Sequence, residues 1–284
     1  MSRIPMAGRL LVVSPHLDDA VPGCGHVLAP HPGAVVCTVL GAQPERKMST
    51  AWDRASGFAD AFEAMRVRRE EDQQALALLG ASAVHLPFCD AQYASPPAPD
   101  RPQMVVRHTL ATVRPESLLM PLGLFHSDHT LVADAVLACL AAPRPAAPGD
   151  APPAPSTIHA YEDVPYRMMD GRVEARQRLL AANGWSMERV EFASASDDTR
   201  LGRLKPAATA AYRSQLRAFG PGQANLRVAA RHWRVRGTAG TATNGDAGAS
   251  RREPEARATS SSLRKGGSNG WDTHRFRNAS PWWC

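Results

Sequence analysis

Cysteine is scarce and odd in number: Cys24, Cys37, Cys89, Cys139 and Cys284, with no two spaced as Cys-x-x-Cys. That spacing excludes a cysteine-based zinc site and argues against a disulfide framework. Each internal cysteine sits among apolar or small residues, as a buried reduced thiol would. No apolar run approaches the roughly 20 residues that a membrane-spanning helix needs. Nor does Met1–Arg9 carry the long apolar stretch of a secretory leader. The expectation is a cytoplasmic protein with no membrane partner. Dense basic runs with interleaved aromatics are missing too. The formal charge of +6 is spread, with seven Lys/Arg against four Asp/Glu in residues 237–284 and 26 against 23 in the other 236. A body so nearly neutral gives nucleic-acid binding no support.

What is present is ordinary globular material, 284 residues at 44% hydrophobic and 21% charged, enough for one large α/β domain or two small ones. Arg9–Ser14 and Ala34–Leu40 are short β-branched runs that read as buried strands. Phe58, Phe62, Met65, Leu76 and Leu79 fall at helical spacing and predict one helix over Asp53–Leu79, stopped by Gly80. Val84–Pro87 reads as a third strand, Met104–Val113 as a helix, and Ser117–Pro121 as a fourth strand. Asp128–Leu140 reads as a helix with Ser127 or Asp128 as its N-cap, and Thr157–Tyr161 as a fifth strand. Strands alternating with helices of this length predict an α/β fold with a mainly parallel, Rossmann-like sheet.

Two kinds of segment depart from that pattern. Residues 142–156 hold six prolines and five alanines, a stiff surface connection inside a domain expected over 1–236. Residues 237–284 hold one leucine and no Ile, Val or Met, while Gly, Ala, Ser and Thr make up 25 of the 48. Such a tail lacks the apolar surface to offset its ordering entropy and reads as disordered.

Chemistry-bearing residues gather in two places. Ser14-Pro-His-Leu-Asp-Asp-Ala20 follows the first strand, and His126-Ser-Asp-His129 follows the fourth. In a parallel sheet both would sit beyond the carboxyl ends of strands, where ligands bind. His16, Asp18, Asp19, His126, Asp128 and His129 together match the inventory of a catalytic zinc site, which takes three His or Asp/Glu ligands and leaves a position for water. A remaining carboxylate can accept a proton from the water, and a second histidine can protonate a departing nitrogen. The reaction that this inventory suits is amide hydrolysis.

Pro15-His-Leu-Asp-Asp19 resembles the Pro-His-Pro-Asp-Asp-Glu signature of the LmbE-like, or PIG-L, family of zinc-dependent N-acetylglucosaminyl deacetylases, and His126-Ser-Asp-His129 resembles that family's His-Pro-Asp-His motif. The similarity extends through Trp52-Asp-Arg-Ala-Ser-Gly-Phe58, Arg68-Arg-Glu-Glu-Asp72, Leu86-Pro-Phe-Cys-Asp-Ala-Gln-Tyr93 and Tyr161-Glu-Asp-Val-Pro-Tyr166, about residues 9 to 220. The resemblance implies zinc, or another divalent transition metal, on His16, Asp19 and His129. It implies Asp18 as general base and His126 as general acid, with Asp128 orienting a histidine; as an N-cap, Asp128 has a second reading. The implied substrate is a small-molecule glycoside carrying an N-acetylglucosaminyl group.

Departures from the pattern are informative. Leu17 and Ala20 replace a proline and a glutamate that are not metal ligands in the family. Leu124 stands where characterised members often carry a tyrosine that assists the oxyanion. Asp90 and Arg68 are candidates for substrate contact, Asp90 alternatively forming a turn and Arg68 an i,i+3 ion pair with Glu71. Glu162 and Asp163 read either as pocket lining or as solvated loop. Gly23-Cys-Gly25 lacks the third glycine of a dinucleotide fingerprint, so it reads as close helix packing. Two other readings share these residues: a zinc amidase of the same fold acting on another amide, such as a thiol conjugate, and a sugar-binding relative without catalysis.

Overall fold

In a computed structural model of the chain, the described residues are 3–4, 6, 8–142, 154–164, 166–192, 199–227 and 231–237. All lie in the unit Met1–Ala239. Most of the proline- and alanine-rich stretch, and the expected tail from 238 onward, fall outside them.

Alternating apolar runs build the sheet. Its strands are β1 (Arg3–Ile4), β2 (Leu10–Ser14), β3 (Val35–Thr38), β4 (Ser82–His85), β5 (Ser117–Pro121), β6 (Thr157–Tyr161), β7 (Trp185–Phe192) and β8 (His232–Gly237). Their order is β1-β7-β8-β6-β5-β2-β3-β4. Strands β4, β3, β2, β5 and β6 pair in parallel, and β8 is antiparallel to both its neighbours. Both faces of β2 are covered, as its unbroken Leu-Leu-Val-Val run requires. Leu10 and Val12 pack with Val21, Leu28, Leu76 and Tyr161 on one side. Leu11 and Val13 pack with Leu118, Met120, Val132 and Val136 on the other. Because β2 leads to β3 on one side and neighbours β5 on the other, the strand order reverses there. The reversal opens a crevice at the carboxyl ends of β2 and β5.

Helices α1 (Ala20–Leu28) and α5 (Ser127–Ala141) run away from those two strand ends. Gly23 lets α1 lie against the sheet, since a Cβ there would stand 2.7 Å from the Tyr161 ring. The single helix expected over Asp53–Leu79 is two, α2 (Ala51–Ser56) and α3 (Ala61–Leu78). Gly57 closes α2 in the left-handed region at φ 91°, and the Asp60 carboxylate opens α3 by accepting from the Phe62 and Glu63 amides. Apolar spacing alone does not register such a break. Gly80, at φ 67°, follows the end of α3 as expected. Helix α4 (Asp100–Val113) begins four residues before the run expected over Met104–Val113.

Residues beyond 166 add α6 (Arg172–Ala182), α7 (Thr199–Ala211), α8 (Arg213–Phe219) and the β7–β8 pair, none of which the periodicity indicated. Pro206 lies inside α7, and β7 carries charged residues at several positions, so neither matches a simple template. Among the described residues no helix is long and apolar enough to cross a membrane.

Candidate active site

The turn after β2 is tied by its own side chains. The Ser14 hydroxyl donates to the His16 carbonyl at 2.7 Å, and the His16 amide donates to Asp19 Oδ2 at 2.9 Å. The same Asp19 oxygen lies 3.2 Å from His16 Nδ1 and 3.3 Å from His129 Nε2. One donor atom from each of His16, Asp19 and His129 therefore falls within 4.8 Å of the other two.

His129 is held from behind. Its Nδ1 meets Asp163 Oδ1 at 2.6 Å, and Asp163 Oδ2 accepts from the Gly123 and Leu124 amides, both at 2.9 Å. With a carboxylate on Nδ1, that nitrogen carries the proton of the neutral ring and Nε2 keeps its lone pair toward Asp19. The fully buried Asp163, just past β6, thus fixes both the histidine and the loop that delivers it. Sequence reasoning left Asp163 open between pocket and loop. Its one signal was an acidic residue just past a strand at the crevice edge.

The loop after β5 is tight. The His126 amide donates to the Leu124 carbonyl at 2.6 Å across Phe125, which sits at φ 59°. His126 itself caps α5, its Nδ1 accepting from the Asp128 amide at 3.2 Å; this corrects the expected Ser127 or Asp128 cap. Relieved of capping, the Asp128 carboxylate reaches His16 Nε2 at 3.0 Å and accepts from the Ala91 amide at 3.1 Å. The three imidazoles lie 5.2 to 5.8 Å apart by ring centroids. His126 is the most open of them, with 31% of its side chain accessible against 1% for His129.

Crowded carboxylates and imidazoles drive their proton affinities apart. Burial and then Asp19 lift Asp18 to about 7, against the pull of His16 and Arg68. Burial works to raise Asp19 as well, but His129 and His16 outweigh it and hold Asp19 at about 2. Burial followed by repulsion from His16 lowers His126. For Asp128, the hydrogen bond from His16 overcomes burial and lowers the carboxyl.

Of the two substrate-contact candidates, Asp90 lies at the rim. Its Oδ2 is 3.8 Å from His16 Nε2, while its oxygens accept from the Gln92 amide at 2.9 Å and the Gln92 side chain at 2.6 Å, so it also forms the turn. Arg68 is turned inward and 2% exposed. Its guanidinium donates to the Tyr93 hydroxyl at 2.7 Å, Asp53 Oδ1 at 3.0 Å and Ser56 Oγ at 3.3 Å. Those bonds occupy the group that a substrate would need, so Arg68 reaches the site only through its charge on Asp18. The expected Arg68–Glu71 pair does not form among the described residues. Glu71 instead accepts from the Ser214 amide and hydroxyl, at 2.9 and 2.6 Å. Glu162 is neither lining nor loop: it is buried, accepting from Arg231 at 2.7 Å and Trp233 at 3.0 Å.

Leu124 is 1% exposed and belongs to the core. Tyr166, which ends the Tyr161–Tyr166 segment of the resemblance but has no role implied there, lies in the neighbouring wall. Its ring is 6.0 Å from that of His126, at 25°, and 5.1 Å from that of His129. Burial and then Asp19, Asp163, Asp18 and Asp90 hold its hydroxyl well above the usual range.

Two imidazole nitrogens and one carboxylate oxygen, with a carboxylate behind one imidazole, form a donor set that suits zinc or a similar divalent ion. Fold and site define a class: mostly parallel α/β proteins with a His-Asp-His cluster at the sheet's switch point. Residues 11–140 match the family model PIG-L, described as GlcNAc-PI de-N-acetylase. Among solved structures, the zinc-inhibited form of the teicoplanin deacetylase Orf2 aligns with TM-score 0.62 at 22% identity, covering 82% of this chain and 99% of that one. The A40926 pseudoaglycone deacetylase Dbv21 aligns with TM-score 0.60 at 24% identity, covering 82% and 98%. The N,N'-diacetylchitobiose deacetylase from Pyrococcus horikoshii aligns with TM-score 0.54 at 16% identity, covering 81% and 84%. No curated protein matches the chain in sequence.

Proposed function

We propose that this protein is a zinc-dependent hydrolase that removes the acetyl group from an N-acetylglucosaminyl small-molecule conjugate, releasing a free amine and acetate. The observation that carries the reading is the convergence of His16, Asp19 and His129 within 4.8 Å, backed by Asp163 and flanked by the more open His126. Zinc held by those three residues would polarise the amide carbonyl and make water a stronger nucleophile at neutral pH. Asp18 accepts the proton of the attacking water. His126 gives a proton to the departing nitrogen, and Asp128 holds His16 in orientation through the 3.0 Å contact. The Tyr166 ring lies against that of His126 in the wall of the site. Asp90 faces the sugar from the rim. The likeness to deacetylases among solved structures and the description of the matching family support the substrate class.

The test is amine release from a panel of N-acetylglucosaminyl conjugates, comparing zinc-loaded protein, chelated protein and Asp18→Asn. Turnover is expected in the first alone, with the variant lower by about 10²- to 10⁴-fold. Turnover that survives chelation removes the metal from the reading. Turnover only on thiol-conjugate amides moves the substrate to the other zinc-amidase class.

A further inference from the structure

Phe125 is a large side chain in a backbone conformation that penalises it. Among the described residues only Arg114 and Phe125 combine a side chain with positive φ, and Arg114 merely ends α4. Phe125 is the centre of a turn closed by the 2.6 Å bond from the His126 amide to the Leu124 carbonyl, a strained geometry that glycine adopts without penalty. Burial does not explain the ring, for Phe125 is 37% exposed. The Arg172 guanidinium lies 4.8 Å over the ring centroid, and the Tyr166 ring is 5.5 Å away, tilted by 41°. Tyr166 in turn lies against His126. Two aromatic rings and one guanidinium thus form a ledge continuous with the residue that protonates the departing nitrogen.

We propose that this ledge is the aglycone subsite, and that its occupant is a flat aromatic group attached to the glucosaminyl unit on the amine side of the scissile bond. The assignment rests on the deacetylase reading for its orientation: a group next to the proton donor of the leaving nitrogen touches what that nitrogen carries, not the acyl side. The chemistry selects the occupant. The Phe125 side chain has no hydrogen-bonding atom and offers nothing to a cluster of hydroxyls. A flat π surface gains stacking on the ring and on the guanidinium plane. The strained turn leaves this ring partly exposed beside His126.

The experiment compares phenyl and methyl β-glycosides of N-acetylglucosamine as substrates of the full chain, zinc-loaded, in wild type, Phe125→Gly and Arg172→Gln. In parallel, the corresponding phenyl and methyl glucosaminides, already free amines, are titrated calorimetrically into each protein. Wild type is expected to prefer phenyl over methyl. Phe125→Gly, which relieves the positive φ as it removes the ring, is expected to reduce that preference about tenfold in both kcat/KM and affinity. Arg172→Gln should reduce it about threefold. A phenyl preference that is absent or unchanged in Phe125→Gly overturns the subsite. So does a loss that tracks acyl chain length and not the aglycone. If wild type hydrolyses nothing, the deacetylase reading fails, and the titrations by themselves still decide whether the ledge binds an aromatic glycoside.

Discussion

Two buried polar clusters lie close together in this molecule and obey opposite rules. Behind the crevice, each charge has its partner. Arg68 meets Asp53, Tyr93 and Ser56, Glu71 meets Ser214, and Asp72 meets His85 at 2.8 Å and Tyr212 at 2.8 Å. At the crevice, Asp18 and Asp19 are neighbours in sequence, and three imidazoles stand within 6 Å of one another. Like groups crowd there, and their proton affinities separate, Asp18 toward about 7 and Asp19 toward about 2. The matched cluster has a partner for each of these groups as it stands, although Arg68 Nε makes no hydrogen bond among the described residues. The crowded one shows the kind of perturbation that clusters at functional sites.

Breaking the matched cluster should have the largest effect on stability. Arg68→Met leaves the buried Asp53 carboxylate without its cation, an expected loss of about 3–5 kcal/mol in urea unfolding. Asp18→Asn removes a like-charge neighbour of Asp19, and the same measurement should find it no less stable than wild type. Similar losses in both variants would erase the distinction between the clusters.

A smaller effect is expected from Asp163→Asn, which keeps the shape but takes the carboxylate from His129 Nδ1. Zinc affinity, measured by competition with a chromophoric chelator, should fall about 10- to 100-fold. Unchanged affinity would mean that His129 is not a ligand.

The smallest effect concerns a third group of buried side chains, on the face of the sheet where α1 packs. Burial and then Lys205 push His26 down to about 4, and burial and then Arg234 push His159 down to about 4. Both folded values lie below the ordinary 6.5, so the unfolded chain takes up these protons first as the pH falls. Their contribution to stability is therefore complete above about pH 6.5 and is lost between there and about pH 4. His159 is 1% exposed, and among the described residues neither ring nitrogen has a hydrogen-bond partner. His159→Leu should thus cost little at pH 7.5 and flatten the decline in Tm on acidification. An equally steep decline in the variant would remove His159 from the account.

Local chemistry made the parallel part of the fold legible. The unbroken apolar runs of β2, β3 and β5 announce strands covered on both faces. Histidine and aspartate soon after two of them announce a site at strand ends, because such turns border the crevice. The family resemblance followed from those same turns. Periodicity could not find Gly57 and Asp60 dividing a helix, since apolar spacing carries through the break. Nor could it choose between Ser127, Asp128 and His126 as the cap of α5, because all three can accept a backbone hydrogen bond and only the incoming direction of the chain selects one.

What tertiary structure alone decided is which partner each buried charge meets. Arg68 and Glu71 stand three apart on one helix, as a surface pair would, yet packing buries both and gives them to Asp53 and Ser214 from other elements. Asp163 and Tyr166 come to the site only because β6 lies beside β5 in the sheet. Sequence determined which chemistry this chain carries, through residue types placed at strand ends. Which residues hold that chemistry in place depends on contacts across dozens of positions, and the burial that creates those contacts exists only once the sheet has formed.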